Sequence, residues 1–483
     1  MTGRHASGES AALARRSMLG NFLSLSASAW TSQILNFLII VYLARVLGAD
    51  ALGQVTLAQA VVLYFRLAAD MGLDMFGSRR VAADREHAAA TVAELTGCRL
   101  ANAALAGSAL VLAALAINWV RPVGWLMLAF GLSLAPVALS LEWAFGGLER
   151  MELVGLSRLT AAGMWFLLVV ALVRGAGSLL VVPLAYVTGL SCASCVLFLL
   201  FRRAYGPTPV RFNRARWTAT LREAAPVGLS FIVIQVYVGF GLVALGLFEG
   251  ERAAGLYSAP QRIVLFLSTI SSMFGATIYP RLAALRVQGR EPFERVMRLG
   301  LRVMVLAGVP LAVGGALVAP SLVPFVYGPG YEDSVAVLQW LAPSVVLIFT
   351  NVPFGYALLA AGEQRSYLHT AIAGAVVNVV ANLVLIPRLH LLGPAVATLC
   401  AEGVVLVTLV FASRRIARVE ASRTVFAAAA SAALMAGALL FVRSAAFPVQ
   451  VVAGAAAYAV GLVVFRAVRR TDIAMIRDEF LAR

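Results

Sequence analysis

The sequence predicts an all-α polytopic membrane protein with fourteen transmembrane helices, and three observations support this. Of the 483 residues, 61% are hydrophobic and 13% are charged, whereas soluble domains carry about twice that charged fraction. Apolar runs of roughly 20 residues, the length at which a helix crosses a bilayer, recur along the whole chain. The runs are too long for strands and do not alternate. A soluble core could not bury so much apolar surface.

The apolar runs define the order of the predicted helices. They lie at 20–44, 52–73, 98–119, 123–146, 154–174, 177–201, 224–248, 254–279, 299–320, 335–361, 367–387, 391–413, 424–442 and 446–466. With the N-terminus in the cytoplasm, cytoplasmic segments carry most of the 39 basic residues, and no external segment carries more than one. The positive-inside rule therefore predicts that both termini are cytoplasmic.

The composition also narrows the functional classes. A net charge of +16 would suggest a nucleic-acid partner for a soluble protein, but here the membrane topology explains it, so no nucleic acid is expected. The four histidines are scattered, and Cys192 and Cys195 lie inside an apolar run, which favours small buried side chains over a metal or redox site. The external loops are too short to form a catalytic site. We expect no enzyme activity, no metal and no cofactor.

An internal repeat divides the chain. When residues 28–63 are compared with residues 230–265, an offset of 202, ten positions match without gaps, and the rarer matches are glycines and glutamines. These pairs are Gly48/Gly250, Gly53/Gly255, Gln33/Gln235 and Gln59/Gln261. The offset contains six helices, an even number, so both copies enter the membrane from the same side. This predicts a parallel repeat of two six-helix lobes.

The repeat sets the predicted domains. They are an N-lobe at 1–201 with spans 1–6, a cytoplasmic inter-lobe loop at 202–222, a C-lobe at 223–415 with spans 7–12, and two extra spans with a cytoplasmic tail at 416–483. Two such lobes would enclose a cavity, and alternating access by rocking is the expected transport mechanism. The paired glycines, Gly48, Gly53, Gly250 and Gly255, are predicted to form hinges at its external mouth.

Charged residues within the predicted spans are candidate functional residues, because a charge at membrane depth is costly. Arg66 and Asp70 lie four residues apart on one helix face and could simply pair, and Asp74 could cap the helix. For Glu142 and Glu402 the alternative is a charge near the end of a span. Asp70, Asp74 and Glu142 could otherwise take up a coupling proton or sodium ion.

Arg262 has no acid within one turn of its own helix, so it needs an acid on another helix, a water-filled cavity or an anionic ligand. Each lobe thus places an arginine, Arg66 or Arg262, on its second span, which suits an anion such as phosphate. For Gln33, Gln59, Gln235 and Gln261, helix–helix hydrogen bonding is the alternative to lining a cavity.

Several segments resemble a known family. Residues 35–82, which contain "YLARVLGADALGQV" and "AADMGLDMFGSRR", resemble the N-terminal signature of Wzx-type polysaccharide-export flippases. Similarity continues, in order, in four further segments: "GLYSAPQRI" (255–263), "YPRLAAL" (279–285), "FVYGPGYEDSVAVLQWLAP" (325–343) and "NVVANLVLIPRLHLLGPAVATLCAE" (378–402). The last two spans are too generic to match.

The resemblance implies membership of the multidrug/oligosaccharidyl-lipid/polysaccharide exporter superfamily. It implies a transporter of the bacterial inner membrane that flips a polyprenyl-diphosphate-linked oligosaccharide to the periplasmic leaflet for lipopolysaccharide or exopolysaccharide assembly, with the polymerase machinery as a partner. It also implies a cationic cavity, to which Arg45, Arg66 and Arg262 correspond by position. The alternatives are a cation-coupled drug or lipid II exporter of the same superfamily, or a membrane glycosyltransferase or ligase.

Overall fold

The structure is a computed structural model that describes residues 3–116, 123–209, 214–417, 419 and 422–467, with side chains from residue 27 except those at 116, 214 and 215. The predicted C-terminal tail from 468 onward and part of the predicted inter-lobe loop lie outside these residues. The described residues are helical and contain no strand. The all-α prediction is therefore confirmed for this part of the chain.

The chain divides into two compact units, and the division falls between Gln235 and Val236. Among the described residues, nine α-helices begin in the first unit: α1 (Gly3–Asp70), α2 (Leu73–Ala83), α3 (Ala88–Ala116), α4 (Val123–Gly131), α5 (Leu134–Leu139), α6 (Glu142–Gly147), α7 (Met151–Leu172), α8 (Val181–Tyr205) and α9 (Arg214–Glu249). Helix α9 contains the division. Helices α8 and α9 both extend into the segment that the sequence assigned to the inter-lobe loop.

The described part of the second unit contains seven further α-helices: α10 (Glu251–Gln288), α11 (Arg290–Tyr327), α12 (Asp333–Ala360), α13 (Gln364–Leu389), α14 (Gly393–Ser413), α15 (Ser422–Phe441) and α16 (Phe447–Val464). In this unit α11 packs against α12 and α15, and α14 packs against α12 and α13. Within the described residues, twelve helical segments are long and apolar enough to cross a membrane. The chain is therefore a multi-pass membrane protein.

Two glycines 202 residues apart break the helices in the same way. Gly48 interrupts α1 with φ 79° and ψ 176°, and Gly250 separates α9 from α10 with φ 85° and ψ −176°. This backbone conformation is open to glycine and strained for other residues. After each break, a hydroxyl bonds to the carbonyl of the next paired glycine: Thr56 to Gly53 at 3.2 Å and Ser258 to Gly255 at 3.0 Å. The local structure thus repeats at the same offset as the sequence.

The fourth predicted span, 123–146, is not one continuous helix. It consists of α4, α5 and α6, and the breaks leave carbonyl groups of the helix ends without helical partners. The Ser194 hydroxyl on α8 donates to the Pro136 carbonyl at 2.7 Å. A polar contact of this kind is required, because broken helices at membrane depth persist only where other groups satisfy the freed backbone.

Candidate functional site

The second membrane segment breaks inside its acidic motif. Helix α1 ends at Asp70, and α2 begins at Leu73 after two residues with positive φ, Met71 (44°) and Gly72 (84°). The Asp70 carboxylate accepts hydrogen bonds from the backbone N–H groups of Gly72, at 3.1 Å, and Asp74, at 3.2 Å. Asp70 therefore accepts hydrogen bonds from backbone N–H groups at the start of α2, whose N-cap residue is Gly72.

Arg99 of α3 is the buried cation beside this break, and only 3% of it is exposed. Its Nη1 lies 3.4 Å from Asp70 Oδ1 and also contacts the Asp74 carboxylate. Its Nε and Nη2 donate to the carbonyls of Ala138, at 3.1 Å, and Val137, at 2.7 Å, at the end of α5. One guanidinium thus compensates two acids and satisfies a broken helix end. Sequence reasoning missed this role, because Arg99 lies at the very start of the predicted span 98–119 and its partners lie on other helices.

The possible pair between Arg66 and Asp70 does not form. Arg66 Nη1 instead donates to the hydroxyl of Tyr186 on α8 at 3.0 Å, and Asp70 pairs with Arg99. The Tyr186 ring packs edge-on against Trp165, with centroids 5.0 Å apart. The spacing of four residues made the pair possible, but each side chain finds a partner on another helix.

Arg66, Asp70 and Arg99 together line one narrow cleft in the first unit. Its remaining walls are apolar side chains of α1, α3 and α5, such as Ala103 and Leu134. The cleft therefore presents two guanidinium groups and one carboxylate in apolar surroundings. Within the described part of the chain, no other predicted site residue lines it.

Glu142, the third predicted coupling carboxylate, joins α6 to α7. It accepts a hydrogen bond from the Ser157 hydroxyl at 2.9 Å and forms an ion pair with Arg158, whose Nε lies 3.3 Å from Glu142 Oε2. About a third of its side chain is exposed. These contacts give Glu142 a cationic partner of its own.

The other predicted residues are distributed along α1, α9 and α10. Gln33, Gln59, Gln235 and Arg262 are half-buried, and Arg45 is exposed. Gln261 Nε2 approaches the Val238 carbonyl at 3.5 Å, which is the helix–helix contact that the alternative interpretation predicted. Arg262 lies within electrostatic reach of the Tyr327 phenol on α11.

Glu402 lies in a polar cluster that sequence reasoning did not include among the site residues. It stands at the middle of the 21-residue α14, so its interpretation as a charge near the end of a span is wrong. Its Oε1 accepts a hydrogen bond from the Tyr237 hydroxyl at 2.6 Å, and its Oε2 accepts one from Asn351 Nδ2 at 2.8 Å. The only sequence signal was the intramembrane carboxylate itself, because its partners are 165 and 51 residues away.

A comparison with protein-family models decides the family. The model described as "Polysaccharide biosynthesis protein" matches residues 18–286, more than half of the chain. The chain belongs to this family. The match confirms the resemblance carried by the motifs at 35–82 and 255–285.

Two curated relatives of this polysaccharide biosynthesis protein agree with the assignment. A putative O-antigen transporter of Shigella dysenteriae is 22% identical over 75% of this chain and 91% of its own length. A probable low-salt glycan biosynthesis flippase of Haloferax volcanii is 25% identical over 75% of this chain and 76% of its own length.

Solved structures of two transporters share the fold. The lipid II flippase MurJ, in an inward closed conformation, superposes with a TM-score of 0.73 at 12% identity, covering 92% of this chain and 98% of its own. An inward-facing multidrug resistance MATE family transporter superposes with a TM-score of 0.60 at 16% identity, covering 80% of this chain and 94% of its own. At these identities the likeness shows the fold alone.

Proposed function

We propose that the protein flips a lipid-linked oligosaccharide across the membrane for surface polysaccharide assembly, and that it acts as a transporter rather than as an enzyme. The observation that carries this proposal is the family match over 18–286 in a multi-pass membrane protein. The two curated relatives, whose names describe an O-antigen transporter and a glycan flippase, support it. The substrate class is a polyprenyl-diphosphate-linked oligosaccharide moved from the cytoplasmic to the periplasmic leaflet.

The charge on Arg66 supports an anionic substrate group. Among the described residues, its hydrogen-bond partner is the neutral hydroxyl of Tyr186, and no carboxylate lies within 4 Å of it. A half-buried guanidinium keeps its charge and binds phosphate in a bidentate manner. We therefore assign Arg66 to diphosphate binding, with Arg45, Arg262 and the four paired glutamines, Gln33, Gln59, Gln235 and Gln261, as further contacts along the transport path.

We propose that the chain crosses a bacterial inner membrane fourteen times and that both termini lie on the cytoplasmic side. Two of the twelve apolar segments, Ala27–Ala83 with 57 residues and Gln364–Ser413 with 50, are each long enough to cross twice. The first is interrupted at Gly48 and the second between α13 and α14. Counting each as two spans gives the predicted number.

The repeat supports the proposed mechanism, alternating access between two six-helix lobes at 1–201 and 223–415. The matched breaks at Gly48 and Gly250 support a hinge role for these glycines, together with Gly53 and Gly255 in the helices that follow. Asp70, Asp74 and Glu142 remain candidates for coupling to H⁺ or Na⁺, although each has a cationic partner. A polymerase that uses the delivered oligosaccharide is the expected functional partner.

Gene deletion tests this proposal directly. In a strain without a redundant flippase, deletion should trap the lipid-linked oligosaccharide on the cytoplasmic leaflet and abolish surface polymer. Export that continues unchanged would contradict the proposal. Accumulation of lipid II instead, with polymer still exported, would favour the lipid II alternative, and loss of drug resistance alone would favour the drug exporter.

A further inference from the structure

We propose that Glu402 is the site at which the protein takes up and releases a coupling proton. The inference rests on the proposed transport function and extends it to a residue outside the predicted coupling set. Two observations support it. Glu402 is hydrogen-bonded to neutral groups, whereas the other candidate carboxylates contact arginines. The amide oxygen of Asn351, beside Glu402, has no hydrogen-bond partner among the described residues.

The other candidate carboxylates are already compensated. Arg99 pairs with Asp70 and Asp74, and Arg158 pairs with Glu142. An arginine stays charged at all physiological pH values, so each of these acids keeps a cationic partner.

Glu402 has neutral partners only. Its two oxygens accept hydrogen bonds from the Tyr237 hydroxyl and the Asn351 amide, and among the described residues no basic side chain lies within 4 Å of it. An ionised carboxylate at the middle of a membrane helix without a counter-ion is costly. Binding a proton removes that cost, and losing the proton remains possible because two donors solvate the anion.

The titratable side chains around Glu402 come from three helices. Tyr237 of α9 bonds to it directly, Tyr367 of α13 is the electrostatic neighbour of Tyr237, and Tyr356 of α12 is the neighbour of Tyr367. These three phenols are neutral at physiological pH. Among these four side chains, the Glu402 carboxylate is therefore the group whose charge changes with pH.

Asn351 supplies the acceptor that the protonated form requires. It is 8% exposed, and its Oδ1 is buried without a hydrogen-bond partner among the described residues. A buried amide oxygen left unpaired is unfavourable. Rotation of the amide by half a turn exchanges Nδ2 for Oδ1, so the acceptor then faces Glu402 and accepts a hydrogen bond from its protonated carboxyl group. One arrangement fits the carboxylate and the other fits the carboxylic acid.

The same geometry favours a proton over a metal cation. Sodium needs several oxygen lone pairs turned toward it, whereas here an O–H and an N–H group point at the carboxylate. No group of three acidic, histidine or cysteine side chains that could hold a metal exists among the described residues. Sodium binding is therefore an outcome that would overturn the proposal.

Infrared difference spectroscopy tests protonation without requiring transport. We would titrate the full-length protein in lipid nanodiscs between acid and alkaline pH, in sodium-containing and sodium-free buffer. The wild type should show a carboxylic-acid carbonyl band that the Glu402→Gln variant lacks, and sodium should not change it. A band that survives in Glu402→Gln, or one that sodium abolishes, would overturn the proposal.

The Tyr237→Phe variant provides a second test of the site if the Glu402→Gln variant does not accumulate. It removes one donor to the carboxylate, so the same band should titrate at a pH higher by about one unit. An unchanged midpoint would show that Glu402 does not bind the proton, or that Tyr237 does not control it, and either result would overturn the proposed site.

Export in the complemented deletion strain tests coupling. Glu402→Gln should lower surface polymer at least tenfold at normal protein levels, whereas the exposed control Glu291→Gln should match the wild type. Normal export by Glu402→Gln would overturn the coupling role. If deletion of the gene itself leaves export unchanged, the flippase function fails, and the infrared result still decides whether Glu402 is a proton site.

Discussion

Arg99 Nη1 lies 3.4 Å from Asp70 Oδ1, although the two residues are 29 positions apart and on different helices. Asp70 ends α1 and accepts hydrogen bonds from backbone N–H groups at the start of α2, while Arg99 also satisfies the carbonyls at the end of α5. The pair therefore connects two helix breaks within the first unit. Removing either Arg99 or Asp70 would leave the charge of the other in apolar surroundings.

Replacing Arg99 with methionine should destabilise the protein strongly. The change keeps most of the side-chain volume but leaves two carboxylates and two carbonyls without their donor, and breaking a buried pair typically costs about 3 kcal/mol or more. Thermal unfolding of purified protein measures this. The matched control is Arg85→Met, because the Arg85–Glu149 pair is exposed and such pairs contribute about 0–1 kcal/mol. Equal effects of the two changes would contradict the assigned role.

A second prediction concerns the close approach of α9 to the break between α1 and α2. A Cβ on Gly228 would lie 2.6 Å from the Met71 carbonyl oxygen, and one on Gly72 would lie 2.6 Å from the Ala224 carbonyl oxygen. Gly228→Ala should therefore lower the melting temperature and the amount of folded protein, because backbone atoms would have to move.

Gly163→Ala is the control for this prediction. Gly163 lies inside α7, and a Cβ there meets nothing within 4 Å, so alanine should be neutral or stabilise by about 0.5–1 kcal/mol. If Gly228→Ala behaves like Gly163→Ala, the two backbones do not approach as closely as described.

The general all-helical architecture was predictable because bilayer thickness fixes the length of a membrane-spanning helix. The breaks within the helices were harder to predict from the sequence. Gly72 could have been suspected as a break, and Pro136 is a local signal of one within 123–147, but the sequence does not show that this segment forms three separate helices, α4, α5 and α6. Their free carbonyls are satisfied by Arg99 and Ser194, and such long-range partners leave no periodic pattern in the sequence.

The candidate site was predictable only in part. The cost of a membrane charge singled out Arg66 and Asp70, which the structure places in one cleft, but it did not single out Arg99. Helical spacing then suggested the wrong pair, because it compares only neighbours on the same helix. Tyr186 and Arg99 lie on other helices, and sequence distance does not reveal them.

The matched glycines give a third prediction. Gly48→Ala and Gly250→Ala should each destabilise the protein, by about 1–2 kcal/mol and by similar amounts, because both positions have φ near 80°. Denaturant unfolding compares them. Gly437→Ala, in an open stretch of α15, should cause no loss. Very different effects at Gly48 and Gly250 would argue against equivalent structural roles in the two halves.

A fourth prediction concerns pH outside the membrane segments. The Asp84 side chain, which hydrogen-bonds His87 Nδ1 at 2.9 Å, raises the pKa of His87, and the same hydrogen bond lowers the pKa of Asp84. The stabilisation from His87 is thus fully present below its ordinary pKa and fades as the pH rises through the raised value. The stabilisation from Asp84 is present above its ordinary pKa and fades as the pH falls through its lowered pKa.

Site-specific NMR of labelled His87 measures this relationship. The Asp84→Asn variant should return the His87 titration to the ordinary range, whereas Glu86→Gln should move it much less, because Glu86 makes the smallest contribution. An unshifted titration in the wild type would contradict the contact.

The last prediction separates substrate binding from helix packing at Arg66. Arg66→Gln should lower polymer export at least tenfold at normal protein levels, because a charge-assisted contact to a diphosphate is worth about 1.5–3 kcal/mol. Tyr186→Phe removes only the hydroxyl that accepts the hydrogen bond from Arg66, so it should reduce export by a few-fold at most. Export assays in the complemented deletion strain, with protein levels checked in membranes, compare the two. If both variants lose export equally, Arg66 acts through its contact with Tyr186; if Arg66→Gln exports normally, it does not bind the substrate.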